Sequence, residues 1–592
     1  MAYSDETQSP RAEVQQATKL VALVTEKASS SQTNDNDNDN DNSDDTESNE
    51  RVPHLHAKTF LAVFAVCLIY FAQLLTLVGA GAQGQTIASH FSAPTQAIWF
   101  SAPLTILTVV LGPIISQAAD YWGRKWFLVI PTLVGGGVGS VVVSRANSMP
   151  VAILGFTIIG VGFCPQPLLH VVTSEVLPRR WRAWGQAADM ASNALGAAVG
   201  LYVGGALNRS NDPASEGFRY YFLMSMAIYV IAAVLCWVVY NPPLRPLQTE
   251  LSTGQKLRRL DWGGYGFLAV GLVLFSVGLS YSKNPYEWRD LQVSATFAVG
   301  ILFSVGLVVY ETWVKKDGMF HHGLFTGNRN FAVAMFCVFA EGVAFFATNT
   351  YFAFQVSVLY ESDALLVGVR YSLVLNMAAI FAGLTGWYCA VTRRAKWATF
   401  VAFGLFILFF ICMATTTRKS NTPTWGYTVL VGSAVGMTLT TLVTVAQLST
   451  PPELISVGSG LIISIRSLGG TVGLAIYNAL FHDVMKNLGR RVGEVVVPMG
   501  ISPGDVVKFV TALETRDQKT LGTIPGVTAE VIEAGAIALQ DTFTIAFRHV
   551  WIAGACFVTL AALVSLLLSD PKREFNMHID APVEKDEDLY SV

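Results

Sequence analysis

From about residue 57 onward the chain alternates between long apolar runs and short polar gaps. A helix needs roughly 20 mostly apolar residues to cross about 30 Å of hydrocarbon. That window predicts fourteen spanning helices, near 58–80, 95–118, 126–144, 150–174, 184–206, 219–240, 262–281, 292–312, 331–352, 364–388, 397–415, 424–447, 456–481 and 546–569. The fifth and tenth carry the most polar residues. Alternation in segments of about ten residues, the mark of a transmembrane β-barrel, is absent. The expectation is an all-α polytopic membrane protein.

The gaps differ in charge. Lys and Arg recur in alternate gaps, as in Arg124 and Lys125, Arg179 with Arg180 and Arg182, Lys256 with Arg258 and Arg259, Lys315 and Lys316, and Arg393 with Arg394 and Lys396. The intervening gaps hold fewer. Basic loops stay in the cytosol, so both termini are expected there. The long segment 483–545 has no vote under that rule, and it reads as an outer cap over the cavity with an amphipathic portion near 527–540. Asn208-Arg209-Ser210 lies in an outside gap and fits a glycosylation sequon.

Composition sharpens the reading. Apolar residues make up 52% of the 592 positions and charged residues only 14%, against roughly 25% charged in soluble domains. No gap has room for a kinase, cyclase or nucleotide-binding domain, and no G-x4-G-K-[ST] loop appears. ATP drive, nucleic-acid binding and enzyme activity are not expected. The seven cysteines fall inside or at the ends of apolar stretches without C-x-x-C pairing, so neither metal nor cofactor is expected. Residues 1–56 contain no apolar run as long as a signal peptide needs, so no cleavable signal peptide is expected there. Their Asn–Asp alternation cannot bury enough apolar surface to offset ordering entropy and reads as a disordered acidic tail.

An internal repeat divides the apolar region. Pro178, Gly185, Gly196 and Gly200 recur as Pro451, Gly458, Gly469 and Gly473, each at an offset of 273 residues. The repeat makes helices 1–6 (57–241) and 9–14 (321–570) equivalent bundles. It leaves 242–320 as a linker with two inserted helices and 571–592 as a cytosolic tail. Two equivalent bundles around a midplane site suit alternating access, in which one half rocks against the other.

Several motifs carry a family resemblance. Ser116-Gln117-Ala118-Ala119-Asp120-Tyr121-Trp122-Gly123-Arg124-Lys125 resembles the major facilitator loop G-x3-D-x2-G-R-K, with Ser116 replacing the first glycine. Gly123 suits a tight turn, and Asp120 can pair with bases or with a facing helix N-terminus. In that family the loop latches the two halves. Gly196-x3-Gly200-Leu201-x2-Gly204-Gly205 resembles the antiporter signature G-x3-G-P-x2-G-G, with Leu201 in place of proline. Small residues four apart also serve plain close packing. Phe156 stands where proton-coupled drug exporters place an arginine. Leu260-Asp261-Trp262-Gly263-Gly264-Tyr265-Gly266, Leu324-Phe325-x3-Arg329-Asn330-Phe331, Ser464-Ile465-Arg466-Ser467-Leu468-Gly469-Gly470 and Asp570-Pro571-Lys572 are similar to segments of the fungal trichothecene efflux pump family. The resemblance covers about 55–580 and implies a major facilitator fold: two six-helix bundles plus two inserted helices, proton-coupled. That family also shades into siderophore–iron transporters.

Ionisable groups deep in spanning helices are functional candidates, because burying charge is costly. At 1.5 Å per residue, Glu341 and Arg466 lie about 15 Å into their helices, and Asp189 about 8 Å. Glu341 leads as proton carrier, with a structural pair between Glu341 and Arg466 as the alternative; Asp189 is the next coupling candidate. The repeat sets Arg466 over Asn193. Helices 1, 4, 9 and 12 line the cavity in such transporters, so Tyr70, Gln73, Gln166, Asn193, Phe345, Phe346, Asn349 and Gln447 are candidate substrate contacts. Cys164-Pro165-Gln166-Pro167 should break helix 4, leaving carbonyls that are tolerable only beside a cavity.

The leading expectation is a monomeric transporter exporting a bulky, moderately apolar metabolite or toxin in exchange for protons. Its expected membrane is that of the cell surface, or else the vacuole or a vesicle. The alternatives are proton-coupled import of ferric siderophores and a membrane sensor that keeps the fold without flux.

Overall fold

The computed structural model describes residues 53–583 except 93–97, 208–215, 245, 282–288, 316–317, 327–328, 362 and 515–517. The acidic tail and the sequon at Asn208 therefore lie outside the described residues. Fourteen long helices follow in order: α1 (Ala57–His90), α2 (Ile98–Trp122), α3 (Arg124–Ser144), α4 (Met149–Val176), α5 (Arg182–Leu207), α6 (Gly217–Val239), α7 (Trp262–Tyr281), α8 (Leu291–Val314), α9 (Arg329–Leu359), α10 (Ala364–Thr392), α11 (Lys396–Ala414), α12 (Asn421–Leu448), α13 (Ile455–Met485) and α14 (Ala529–Ser565). Thirteen are long and apolar enough to cross a membrane; in α7 the qualifying apolar stretch is the shorter Trp262–Phe275. No strand occurs among the described residues.

The repeat is visible as geometry. Pro178 (φ −51°, ψ 143°) and Pro451 (φ −54°, ψ 143°) each start a short 3-10 turn that leads into α5 or α13. A Cβ on Gly196 would lie 2.3 Å from the Phe71 carbonyl oxygen, and one on Gly469 would lie 2.1 Å from that of Phe339. One turn on, Gly200 meets Leu75 and Gly473 meets Val343. The paired glycines thus let α5 touch α1 and α13 touch α9 in the same way, since no side chain separates the backbones. The antiporter-like stripe is first a packing surface; Gly204 continues it, its carbonyl accepting from Gln83 at 3.2 Å, and Gly205 abuts Leu365 of α10.

Helix 4 breaks where the prolines stand. Met149–Phe163 and Gln166–Val176 are separate helical pieces, with Cys164 and Pro165 in a turn between them. The carbonyl of Gly162, left without its partner four residues on, accepts a hydrogen bond from Gln73 of α1 at 2.9 Å. Both α3 and α9 contain π-helical stretches, Pro131–Val138 and Thr348–Phe352.

The last span differs from expectation. α14 begins at Ala529, so the amphipathic stretch near 527–540 is the first part of one 37-residue helix. The rest of the 483–545 segment forms short helices, Leu488–Val496 and Val506–Glu514, whose Val492 and Phe509 are buried. A Cβ on Gly535 would lie 2.6 Å from Phe509, so this cap packs on the extension of α14. Its apolar face is satisfied by another helix, and that pairing is invisible to a hydropathy window.

The inserted pair α7–α8 is anchored at the basic end of α2, where Leu260, Tyr265, Leu307 and Met319 bury Ala118. Tyr265 hydrogen-bonds Gln117, and Asp261 caps α7 by accepting from Gly264 N at 3.0 Å. The Leu260–Gly266 motif is thus a fastening of the insert. Asn330 exchanges two 2.8 Å hydrogen bonds with the backbone of Ser569, and Asp570 accepts from the backbone N–H of Ala395 and Lys396 at the start of α11.

Candidate functional site: a polar chamber between the halves and its inner closure

At the basic end, the loop after α2 ties the two halves together. Gly123 has φ +94°, a conformation that L side chains rarely adopt. It turns the chain so that Arg124 reaches back to Asp120 at 3.0 Å. Asp120 also accepts from Ser456 Oγ at 2.6 Å, and Arg124 donates to that hydroxyl at 2.7 Å. Ser456 lies in the first turn of α13, so the carboxylate faces a helix N-terminus, where the dipole favours negative charge. Arg124 pairs as well with Glu175 of α4, while Lys125 reaches Asn241 on the surface.

Deeper, a second bridge lies on the repeat axis. Ser174 of α4 donates to Gln447 Oε1 of α12, and these two residues occupy equivalent positions 273 apart. Gln186 Nε2 of α5 donates to Ser174 Oγ at 2.7 Å and lies 3.3 Å from Gln447 Oε1. Gln447 Nε2 donates to Ser459 Oγ of α13 at 2.9 Å and to the His170 carbonyl at 3.1 Å. Ser459 is the repeat equivalent of Gln186. Arg182 adds a bond to the Gln447 carbonyl at 3.3 Å. All four bridging side chains are buried. Gln447, expected to contact substrate, has every polar atom committed to this closure.

Beyond the closure is a chamber lined from both halves. Glu341 of α9 is fully buried and accepts from Arg466 of α13 at 2.7 Å (Nε) and 3.1 Å (Nη2). The pair left open by the sequence is therefore present, in bidentate form, and the guanidinium also stacks on Phe345 with its carbon 4.5 Å from the ring centroid. Arg466 stands 273 residues from Asn193, and the contacts of Gly196 with Phe71 and of Gly469 with Phe339 set α9 over α1 at an offset of 268, which lays Glu341 over Gln73. The first half has neutral amides at these positions, and Gln73 bonds the Gly162 carbonyl instead. Gln166, at the break in α4, donates to Tyr70 Oη at 3.2 Å, and Tyr371 donates to Asn349 in the π-helical stretch of α9 at 2.7 Å. Asn193, Phe345, Phe346, Gln166 and Asn349 keep some exposure, whereas Tyr70 and Gln73 are buried. Gln73 holds the broken helix rather than facing the chamber.

Asp189 of α5 sits between chamber and closure, fully buried. Thr173 donates to Oδ2 at 2.6 Å and the Cys67 thiol lies 3.6 Å from Oδ1. His170 Nδ1 is 3.5 Å from Oδ2 but only 2.7 Å from Gln186 Oε1. Among the described residues no Lys or Arg is within ion-pair distance of Asp189. Sequence reasoning missed His170, Thr173, Gln186, Ser174 and Ser459. The one signal that could have found part of the set is the repeat, which lays Ser174 over Gln447 and Gln186 over Ser459.

At the other end, Tyr202 of α5 accepts from Ser372 and Asn376 of α10 at 2.7 and 3.0 Å. Five of the seven cysteines are buried, Cys412 is intermediate and Cys556 exposed, and all are free thiols.

Two helical halves around a polar chamber, joined across one end by hydrogen bonds and ion pairs, define a multi-pass membrane carrier. The Major Facilitator Superfamily profile matches residues 59–474, and the chain belongs to that family of secondary transporters; it is a transporter and not an enzyme. It is 23% identical over 494 residues to an MFS-type transporter of Acremonium sp, covering 81% of this chain and 78% of that protein. It is 21% identical over 509 residues to a trichothecene efflux pump of Trichoderma arundinaceum, covering 81% of each. Its fold is like that of a bacterial homologue of the human lysosomal transporter Spinster, with TM-score 0.51 and 15% identity over 88% of this chain and 98% of that one. It is also like the human organic anion transporter MFSD10, with TM-score 0.50 and 12% identity over 84% and 99% of the two chains.

Proposed function

We propose that this carrier exports a bulky, moderately apolar metabolite or toxin in exchange for protons, by alternating access of residues 57–241 against 321–570. The observation that carries the coupling is Asp189: a buried carboxyl whose partners are a hydroxyl, a thiol and an imidazole. A carboxylate without a cationic partner is costly at such depth, and taking up a proton removes the cost. Glu341 already has a cationic partner in Arg466, so it serves better as the fixed charge that shapes the chamber. The similarity to proteins named as efflux transporters, among them the trichothecene pump, supports export as the direction. Phe345, Phe346, Asn193, Gln166 and Asn349 are the proposed substrate contacts: aromatic faces for an apolar body and amides for a few oxygens. The latch of Asp120, Gly123 and Arg124 holds the basic, cytosolic end shut in the state described. The expected site of action is the cell membrane.

Proteoliposomes with an imposed pH gradient test the coupling. Wild type should accumulate a trichothecene against its gradient. Asp189→Asn should lose accumulation yet keep substrate counterflow, which needs no net proton movement. Undiminished pH-driven accumulation by Asp189→Asn would remove that residue from the proton path. A deletion strain separates export, read as raised toxin sensitivity, from import, read as failed growth on one ferric siderophore. Absence of flux for both would remove these two substrate classes.

A further inference from the structure

The segment after α14 does not hang free. Through Asp570 the chain is fastened to the second half, where Asp570 caps α11 and Ser569 is held by Asn330. Six residues on, the same chain is fastened to the first half. Arg180 N donates to the Asn576 carbonyl at 2.8 Å, Arg179 N to that of His578 at 2.9 Å, and Ala581 N to that of Glu175 at 3.0 Å. Arg179 grips Glu574 at 2.7 Å and Asp580 at 2.8 Å, and Arg182 also pairs with Asp580. Val583 is buried in the first half's own core, with Ala62, Leu128, Val172 and Cys236. Phe575, between the two anchorages, is 1% exposed.

Arg182 shows what this docking serves. Its buried guanidinium donates at once to the Ser174 carbonyl of α4, to the Gln447 carbonyl of α12 and to Asp580. The tail carboxylate therefore completes the charge balance of a cation that bridges both halves. Without it, a guanidinium with only carbonyl partners would remain in a buried site, which disfavours the closed arrangement.

The link has little slack. A fully extended chain spans about 3.3–3.6 Å per residue, so Asp570 to Asn576 reaches at most about 22 Å. Lys572–Glu574 is now wound as a 3-10 turn, which rises only about 2.0 Å per residue. Moving the basic ends of the halves apart must unwind that turn and pull Phe575 from its buried place, or else lift residues 576–583 off the first half. Either way, tail docking and closure of that end are energetically one event.

We propose that residues 571–583 form an intramolecular strap across the cytosolic end, with the Arg179–Arg182 pair as a carboxylate-binding site whose occupant is Asp580, and that its release sets how readily that end opens. The proposal rests on the alternating-access reading above and adds to it a regulatory site outside the latch loop and the chamber. Anything that neutralises Asp580 or competes for the two arginines should favour the open end.

Spin labels at Lys58→Cys and Arg394→Cys, in a background lacking Cys412 and Cys556 and reconstituted in lipid nanodiscs, report the separation of the two basic ends. Full-length protein should give mainly the short distance. Asp580→Asn keeps the shape of the side chain but removes its charge. It should raise the ratio of long to short distances by about tenfold, the effect of losing charge-assisted bonds to two arginines. Val583→Asp, which removes the apolar anchor without touching the arginines, should shift it the same way. A synthetic peptide of residues 571–592 added to the Val583→Asp protein should restore the short distance. Unchanged distributions in both folded variants overturn the strap, whatever the flux assays give. A shift in distances without flux of the tested substrate supports the strap and counts against the proposed substrate and coupling instead.

Discussion

Removing the carboxylate of Glu341 should destabilise the protein more than removing the guanidinium it serves. Glu341→Gln takes away two charge-assisted hydrogen bonds, at 2.7 and 3.1 Å, and leaves Arg466 in the chamber wall. Breaking a buried pair by deleting one partner costs about 3–5 kcal/mol. Arg466 keeps 17% side-chain exposure and its face-on contact with Phe345, and a desolvated cation–π contact is worth about 2 kcal/mol. The loss for Glu341→Gln should therefore be about 1–3 kcal/mol. Arg466→Met leaves the opposite orphan, and a carboxyl can neutralise itself by protonation where a guanidinium cannot. Its loss should be smaller, about 1–2 kcal/mol less by the same reasoning. In the double variant no charge remains, and much of the loss should be recovered. Denaturant or thermal unfolding in detergent on wild type, both singles and the double closes the cycle. A double variant whose loss equals the sum of the singles would mean the two groups do not interact, and the pairing argument would be wrong.

Four further outcomes are expected. Gly196→Ala and Gly469→Ala should both reduce folded abundance sharply, because each new Cβ would sit within 2.3 Å of a carbonyl oxygen on α1 or α9, whereas Gly266→Ala, with nothing within 4 Å, should express normally; equal abundance of all three would undo the packing account. Gly123→Ala should cost about 1–3 kcal/mol from its φ of +94° and slow transport, read as lower flux per folded molecule in vesicles. Gln447→Leu should loosen the inner closure while leaving substrate affinity within about twofold by the satisfied-partner argument, and a large affinity loss in a binding titration would return that residue to the chamber. Cysteine labelling should find positions 20 and 585 on the same side of the membrane, since basic gaps alternate; opposite sides would end the topology.

Much of this architecture was legible because its causes are local in sequence. The spans follow from apolar run length, and the break in α4 follows from two prolines with no N–H to donate. The turn at Gly123 follows from a residue free to adopt positive φ. The equivalence of α5 and α13 could be read because four small or rigid residues kept one offset. Reading failed where a partner lies far away in the chain. Gln447 looked like a cavity residue from its place on helix 12, yet its partners Ser174, Gln186 and Ser459 come from three other helices. Asp580 lies in the stretch 571–592, which the sequence marks only as a cytosolic tail.

The sequence by itself determined that the chain is a repeated set of membrane helices, which helices correspond, and which positions carry a charge the bilayer would penalise. Only the tertiary structure decided how each charge is compensated. It pairs Glu341 with Arg466, leaves Asp189 among neutral groups and His170, and draws Asp580 back onto Arg179 and Arg182. The physical reason is that hydropathy and periodicity are properties of consecutive residues, whereas compensation of a buried charge depends on atoms within about 4 Å, and in this protein those atoms come from residues 16 to 401 positions apart.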